Sequence, residues 1–244
     1  MPPKPYKPPP AKGAGNRNLL IAAGAAAAVV LVLVVASLLL RGGDSSNDAT
    51  STVDTGQVST LLDGVPQERA VLGAPGAKVT MIQFEDLQCP ICRDYQQQGF
   101  PGVVDDYVKP GKVKLRFVGM DFLGSDSTKA LSYTLAAGEQ GKLWQFADSL
   151  YANQGAENSG WVTDSLLETI AGDLGLDYGK LKTDAAGAVT KQQAQSMAAE
   201  ATQRQVPGTP TFYVQVGDAE PYQVHPSSFA IEEFRKILDD ALSS

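Results

Sequence analysis

Gln88-Cys89-Pro90-Ile91-Cys92 holds the only two cysteines of this 244-residue chain, and its reading decides the fold. Upstream, Val79-Thr80-Met81-Ile82-Gln83-Phe84 is β-branched and apolar, bounded by Gly76, as a buried strand would be. Downstream, Arg93-Asp94-Tyr95-Gln96-Gln97-Gln98 contains no glycine or proline and suits a helix. Pro90 then falls at the first helical position, where its missing N–H costs nothing and its fixed φ helps. Cys89 falls at the N-cap, with its sulfur before free backbone N–H groups and the positive end of the helix dipole. That setting favours the thiolate, which is the reactive species. Cys92, one turn further, can lie beside Cys89 and resolve whatever it attacks.

Two blander readings compete with a redox-active dithiol. A zinc half-site would need further ligands, because zinc usually takes four Cys or His side chains, and His225 is the only histidine in the chain. His225 itself, lying before Pro226, reads as a solvated loop residue rather than a catalytic base. A purely structural disulfide between Cys89 and Cys92 would close so short a ring that the chain-entropy gain is only about 2 kcal/mol, less strain. A staple would be placed across a longer loop. A dithiol after a strand and opening a helix is the reading that uses the spacing, and it calls for no metal and no cofactor.

The chain is long enough for one sizeable domain with appendages. Its net charge of −7 hides an asymmetry. Lys4, Lys7, Lys12, Arg17 and Arg41 lie in residues 1–41 without a single acid, leaving 15 bases against 27 acids in the remainder. So acidic a domain repels phosphate backbones, which argues against nucleic acid as a partner.

Residues 1–18 are proline-rich and basic, the composition of a disordered tail. Leu19 to Leu40 is 22 residues without a charge. As a helix it would span about 33 Å, enough to cross the hydrocarbon core. Four bases precede it, while Asp44, Asp48 and Asp54 follow Arg41. The positive-inside rule therefore puts the N-terminus in the cytoplasm and the rest outside. A cleaved signal peptide is the competing reading, but the apolar run exceeds the usual h-region and no clear small-x-small site follows it. Residues 41–60, rich in Gly, Ser, Thr and Asp, read as a flexible linker. Outside the cytoplasm disulfide chemistry persists, so a lone Cys-x-x-Cys there points to disulfide exchange.

Residues 61–244 form the expected domain. Leu61 to Pro75 reads as irregular, punctuated by Gly64, Pro66, Gly73 and Pro75. Gly99-Phe100-Pro101-Gly102 should kink or break the first helix, with a further turn or two over Val103–Val108. Val113 to Val118 alternates apolar and basic residues, the pattern of a half-buried strand. Two strands joined by a helix predict a parallel pair. From about 125 to 205 the chain reads as all-helical. Leu143, Trp144, Phe146, Ala147, Leu150 and Tyr151 make an amphipathic stripe there, read as core packing. Ser165 and Glu168 have capping-box spacing, and Gly175 suits the helix end that follows. Thr211 to Val216 and Tyr222 to Val224 read as a hairpin, and Ser227 or Ser228 as the cap of a last helix.

This order resembles the DsbA-like branch of the thioredoxin superfamily, from about Gly64 to the C-terminus. The residues that carry the resemblance are Gly64-Val65-Pro66-Gln67, Phe84-Glu85-Asp86-Leu87-Gln88-Cys89-Pro90-Ile91-Cys92, Asp121-Phe122, Ala136-Ala137-Gly138-Glu139-Gln140-Gly141 and Gly208-Thr209-Pro210-Thr211-Phe212. It implies an α/β thioredoxin fold with an inserted all-α subdomain, here preceded by one transmembrane helix. It implies further that Pro210 is cis against the cysteine pair, and that the Thr209 backbone receives an extended substrate segment. Cys89 would attack or be attacked, and Cys92 would resolve. The activity implied is extracytoplasmic disulfide exchange, most simply disulfide formation in reduced secreted or cell-envelope proteins, with a quinone-linked membrane oxidase as redox partner. A reductase or isomerase of the same fold, or a non-catalytic binding module, are the alternatives. Two departures from the family pattern stand out. Gln83 replaces a buried acid often found six residues before the first cysteine, while Glu85 and Asp86 lie nearer without a fixed direction. Ile91 stands where strongly oxidising members carry histidine.

Overall fold

The computed structural model describes residues 60–244. The expected tail, membrane helix and nearly all of the linker lie outside the described residues. Strands β1 (Gln67–Glu68), β2 (Val71–Leu72), β3 (Val79–Asp86), β4 (Val113–Met120), β5 (Thr211–Val216) and β6 (Tyr222–Val224) form one sheet in the order β1-β2-β4-β3-β5-β6. The parallel β3–β4 pair expected from the strand–helix–strand pattern is present, with Val79 opposite Val113 and Glu85 opposite Gly119. β5 returns antiparallel along the other side of β3, and β6 pairs with β5 as the hairpin.

Every residue of β3 is buried, because helices cover both faces of this central strand. Successive side chains alternate between the faces. Val79 and Met81 join Val113, Leu115 and Phe117 in one core, whereas Ile82 and Phe84 join Val118 and Tyr213 in another. Helices α1 (Pro90–Gln98), α2 (Phe100–Val103), α3 (Ser125–Gly138), α4 (Leu143–Ala152) and α8 (Ile231–Ser243) contribute to the first core. α7 (Ala188–Gln203) supplies Ala201 and Met197 to the second. Tyr95 of α1 centres the first core, with ring centroids of Phe212 and Phe234 at 4.8 and 5.2 Å. Gly119 allows α3 to close on β4, since a Cβ there would stand 2.1 Å from Leu131 Cδ1.

The helical stretch between β4 and β5 consists of α3, α4, α5 (Asp164–Asp173), α6 (Tyr178–Ala185) and α7, matching the expected insertion. Its apolar residues, among them Ala130, Phe146, Leu150, Tyr151, Leu167 and Leu181, form a third core that also takes in Cys89 and Cys92.

Four local readings change. Leu61 to Pro75 is not wholly irregular: β1 and β2 form a hairpin that pairs with β4 at Leu72–Leu115. Two-residue strands are too short to show periodicity. The cap of α5 is Thr163, whose side chain accepts from Leu166 N, and not Ser165. The cap of α8 is Ala230, while Ser227 instead donates its hydroxyl to Glu233. After α1, the chain winds straight into α2 and then into a wider turn, with Lys109 N bonded to Val104 O. Gly99 carries this junction in right-handed helical geometry rather than as a sharp break. Gly175, with φ of +69°, ends α5 as expected: Leu176 N reaches back to Ala171 O, the Schellman arrangement.

Candidate active site

Cys89 is the N-cap of α1 and Pro90 its first residue, as the local sequence dictates. The cap residue is extended, with φ −72° and ψ 118°, which turns its sulfur toward the open end of the helix. Cys89 is 7% exposed and Cys92 is fully buried, and both are free thiols. Ile91 is half exposed. The Thr209–Pro210 bond is cis, and the Thr209 carbonyl oxygen lies 3.3 Å from Cys89 Sγ. Cys89, Pro90, Ile91, Cys92, Thr209 and Pro210 thus come together, although 120 positions separate Cys89 from Thr209. His225 is exposed, as a loop residue.

The two sulfurs differ sharply. Cys89 is pulled down from 9.0 to about 6. The largest cause is the Cys92 thiol donating to it; burial opposes this, and Thr209 and the backbone N–H groups of Cys92 and Ile91 add to it. The Thr209 hydroxyl is buried without a protein partner, which leaves the sulfur as the group it can serve. Cys92 is pushed well above its ordinary value, first by burial, then by its bond to Cys89, then by the charge of Glu85. One sulfur is therefore a thiolate at neutral pH and the other a thiol.

The loop leading to Cys89 is held from the helical insertion. Asp86 Oδ1 accepts from Gln88 N at 2.9 Å and from Ser127 Oγ at 2.6 Å. Gln88 Nε2 donates to Ser127 Oγ, and Gln88 Oε1 accepts from Asn158 N at 2.7 Å. Gln154 Nε2 donates to the carbonyls of Leu87 and Cys89, at 2.9 and 3.2 Å. These bonds fix the direction of the cap and hence of its sulfur. Gln154 and Asn158 sit in a loop with no local sequence pattern to single them out.

Glu85, without a fixed direction in the sequence, has one in the fold. Its side chain is buried, with Tyr151 OH, which packs in the same cluster as the two cysteines, donating to Oε2 at 2.9 Å. Burial raises its carboxyl from 4.5 to about 8; the Tyr151 bond opposes this and the Cys89 charge adds to it. The signal was present in the alternation of β3, which puts Glu85 on the same face as Gln83. Tyr151, read as a core residue, is one, and it also ties α4 to this carboxyl.

A thioredoxin family model matches residues 66–240. The probable disulfide bond formation protein D of Bacillus cereus is 30% identical over 154 residues, covering 62% of this chain and 71% of that protein. Disulfide bond formation protein D of Bacillus subtilis is 34% identical over 119 residues, covering 47% of this chain and 50% of that one. The crystal structure of oxidised BdbD from Bacillus subtilis superposes with a TM-score of 0.64 at 25% identity, over 72% of this chain and 94% of that chain. Because the family match spans well over half of the sequence and includes both cysteines and Pro210, this chain belongs to the thioredoxin family.

Proposed function

We propose that the protein is a thiol–disulfide oxidoreductase that forms disulfides in reduced secreted or cell-envelope proteins. The observation that carries this reading is the split between the sulfurs: a stabilised thiolate at Cys89, 7% exposed at the helix cap, beside a fully buried thiol at Cys92. Stabilising the thiolate stabilises the reduced form, which makes the disulfide the better oxidant. Similarity to proteins named for disulfide bond formation supports the same direction.

In the forward reaction a substrate thiolate attacks Cys89 Sγ of the Cys89–Cys92 disulfide. The S–S bond breaks, and Cys92 leaves with the electron pair and takes up a proton. A second substrate thiolate then attacks the substrate sulfur of the mixed disulfide, and Cys89 leaves as its stabilised thiolate. Thr209, half-buried beside the cysteine, would pair with the backbone of an extended substrate segment. Re-oxidation needs an external disulfide or quinone-linked membrane oxidase. The uncharged run Leu19–Leu40 and its flanking bases support anchoring of the domain outside the cytoplasm by residues 41–60. Protease added to cells stripped of their outer layers should then digest the domain and leave a membrane-bound stub; a soluble form starting just beyond Leu40 would contradict the anchor.

The oxidised protein, mixed with a reduced unfolded protein and no other oxidant, should transfer one disulfide per Cys89–Cys92 pair. The Cys89→Ser variant should transfer none. Failure to oxidise the substrate, with ready reduction of its disulfides by the dithiol form, would assign the reverse direction.

A further inference from the structure

The exchange reaction moves a proton onto and off Cys92, a thiol sealed from solvent, and the position six residues before Cys89 cannot serve it. Gln83 donates its Nε2 to Tyr95 OH at 2.7 Å, and an amide neither takes nor yields a proton at ordinary pH. Two residues on along the same face of β3, Glu85 is 1% exposed. One of its oxygens is held by Tyr151 of α4, and the other, Oε1, is buried with no hydrogen-bond partner. A buried carboxyl oxygen without a partner is costly unless it has a further task.

We propose that Glu85 is the group that exchanges a proton with Cys92, and that the charge on Cys89 gates it. This rests on the thiol–disulfide reading above. Tyr151, whose hydroxyl holds Glu85, packs in one buried cluster with Cys89 and Cys92. The titratable groups whose charge couples to Glu85 are Cys89 at the cap, Cys92 and Tyr95 on α1, and Tyr151 on α4. β4 presents only Gly119 opposite it, and the β5 register stops at Thr211, opposite Phe84. Asp86, its neighbour, is engaged by Gln88 N, Ser127 and Leu123 N.

Gating follows from the order of events. In the dithiol, the Cys89 thiolate adds to the burial that keeps the Glu85 proton on. When Cys89 attacks a partner disulfide, its electron pair enters a new S–S bond and its charge departs with the leaving thiolate. Glu85 then yields its own proton to the departing partner thiolate or to solvent, and becomes a carboxylate at the moment the buried Cys92 thiol must lose its proton. The carboxylate takes that proton, and the Cys92 thiolate attacks Cys89 Sγ. The partner's remaining sulfur leaves as a second thiolate, and the disulfide is restored. In substrate oxidation the proton runs the other way, from the Glu85 carboxyl to the departing Cys92 sulfur.

The reaction of the reduced protein with 5,5′-dithiobis(2-nitrobenzoate) separates the two steps, because each releases one coloured thiolate. The first phase reports attack by Cys89 and the second reports resolution by Cys92. Glu85→Gln should leave the first phase within about twofold and slow the second by about a hundredfold at pH 7, the scale of one lost acid–base group. Tyr151→Phe keeps the carboxyl but removes a bond that lowers it, so the rise of the second phase with pH should move to higher pH. An unchanged second phase in Glu85→Gln, or equal slowing of both phases, would overturn the assignment. Absence of either phase in the unmodified protein would instead overturn the exchange reading on which it rests.

Discussion

At Cys89 the lowering to about 6 makes a direct expectation. The rate of alkylation of the reduced protein should rise with pH to half its plateau near pH 6 at Cys89, while Cys92 stays unmodified. Half-reaction near pH 9 would mean that the cap and the Thr209 loop do not stabilise the anion. This value falls between the thiols of thioredoxin, about 7, and DsbA, about 3.5, and an intermediate reduction potential, between roughly −270 and −120 mV, is expected. Ile91 contributes its backbone N–H to the sulfur, but its half-exposed side chain brings no charge. Ile91→His should lower the Cys89 pKa and raise the potential by about 30 mV per pKa unit. An unchanged or more reducing potential against a glutathione buffer would show that this position does not set the poise. The cysteine pair was legible in the sequence because capping chemistry is local. For Glu85 the alternation of β3 gave the face, but its partner Tyr151 lies 66 positions away and could not be read locally.

Elements were legible where period and length were clear, as in β4, α4 and the β5–β6 hairpin. β3 runs two residues beyond the apolar stretch, through Glu85 and Asp86, because both carboxyls find donors inside the fold. The apolar pattern alone ended the strand at Phe84. The cap of α5 was misplaced by two residues, since Thr163 and Ser165 both have the chemistry and only the entry geometry of the chain chooses between them. Ser165 Oγ is not the atom that accepts Leu166 N. Thr163→Ala should therefore cost about 1 kcal/mol in denaturant unfolding, and Ser165→Ala a few tenths at most. The opposite ranking would put the cap back at Ser165.

Across the whole molecule, the buried Glu85 should shape stability against pH. Its folded value, about 8, lies above the ordinary 4.5, so the neutral carboxyl favours the fold at low pH and that advantage is lost as pH rises toward 8. Glu85→Gln should remove this dependence: the variant should gain on the parent between about pH 4.5 and pH 8, by on the order of 5 kcal/mol, and then level off. A constant difference across that range would mean that the carboxyl titrates normally in the fold. The fold as a whole was legible because strand, capping cysteine and proline loop each carry local signals, while the polar bonds from the insertion to the loop before Cys89 depend on contacts that only packing creates. The division of labour between the sulfurs is the claim on which everything else depends, and trapping tests it most directly. Cys92→Ser should accumulate mixed disulfides between Cys89 and substrate proteins, since nothing remains to resolve them, and Cys89→Ser should accumulate none. Equal trapping by both variants, or trapping only by Cys89→Ser, would contradict the account.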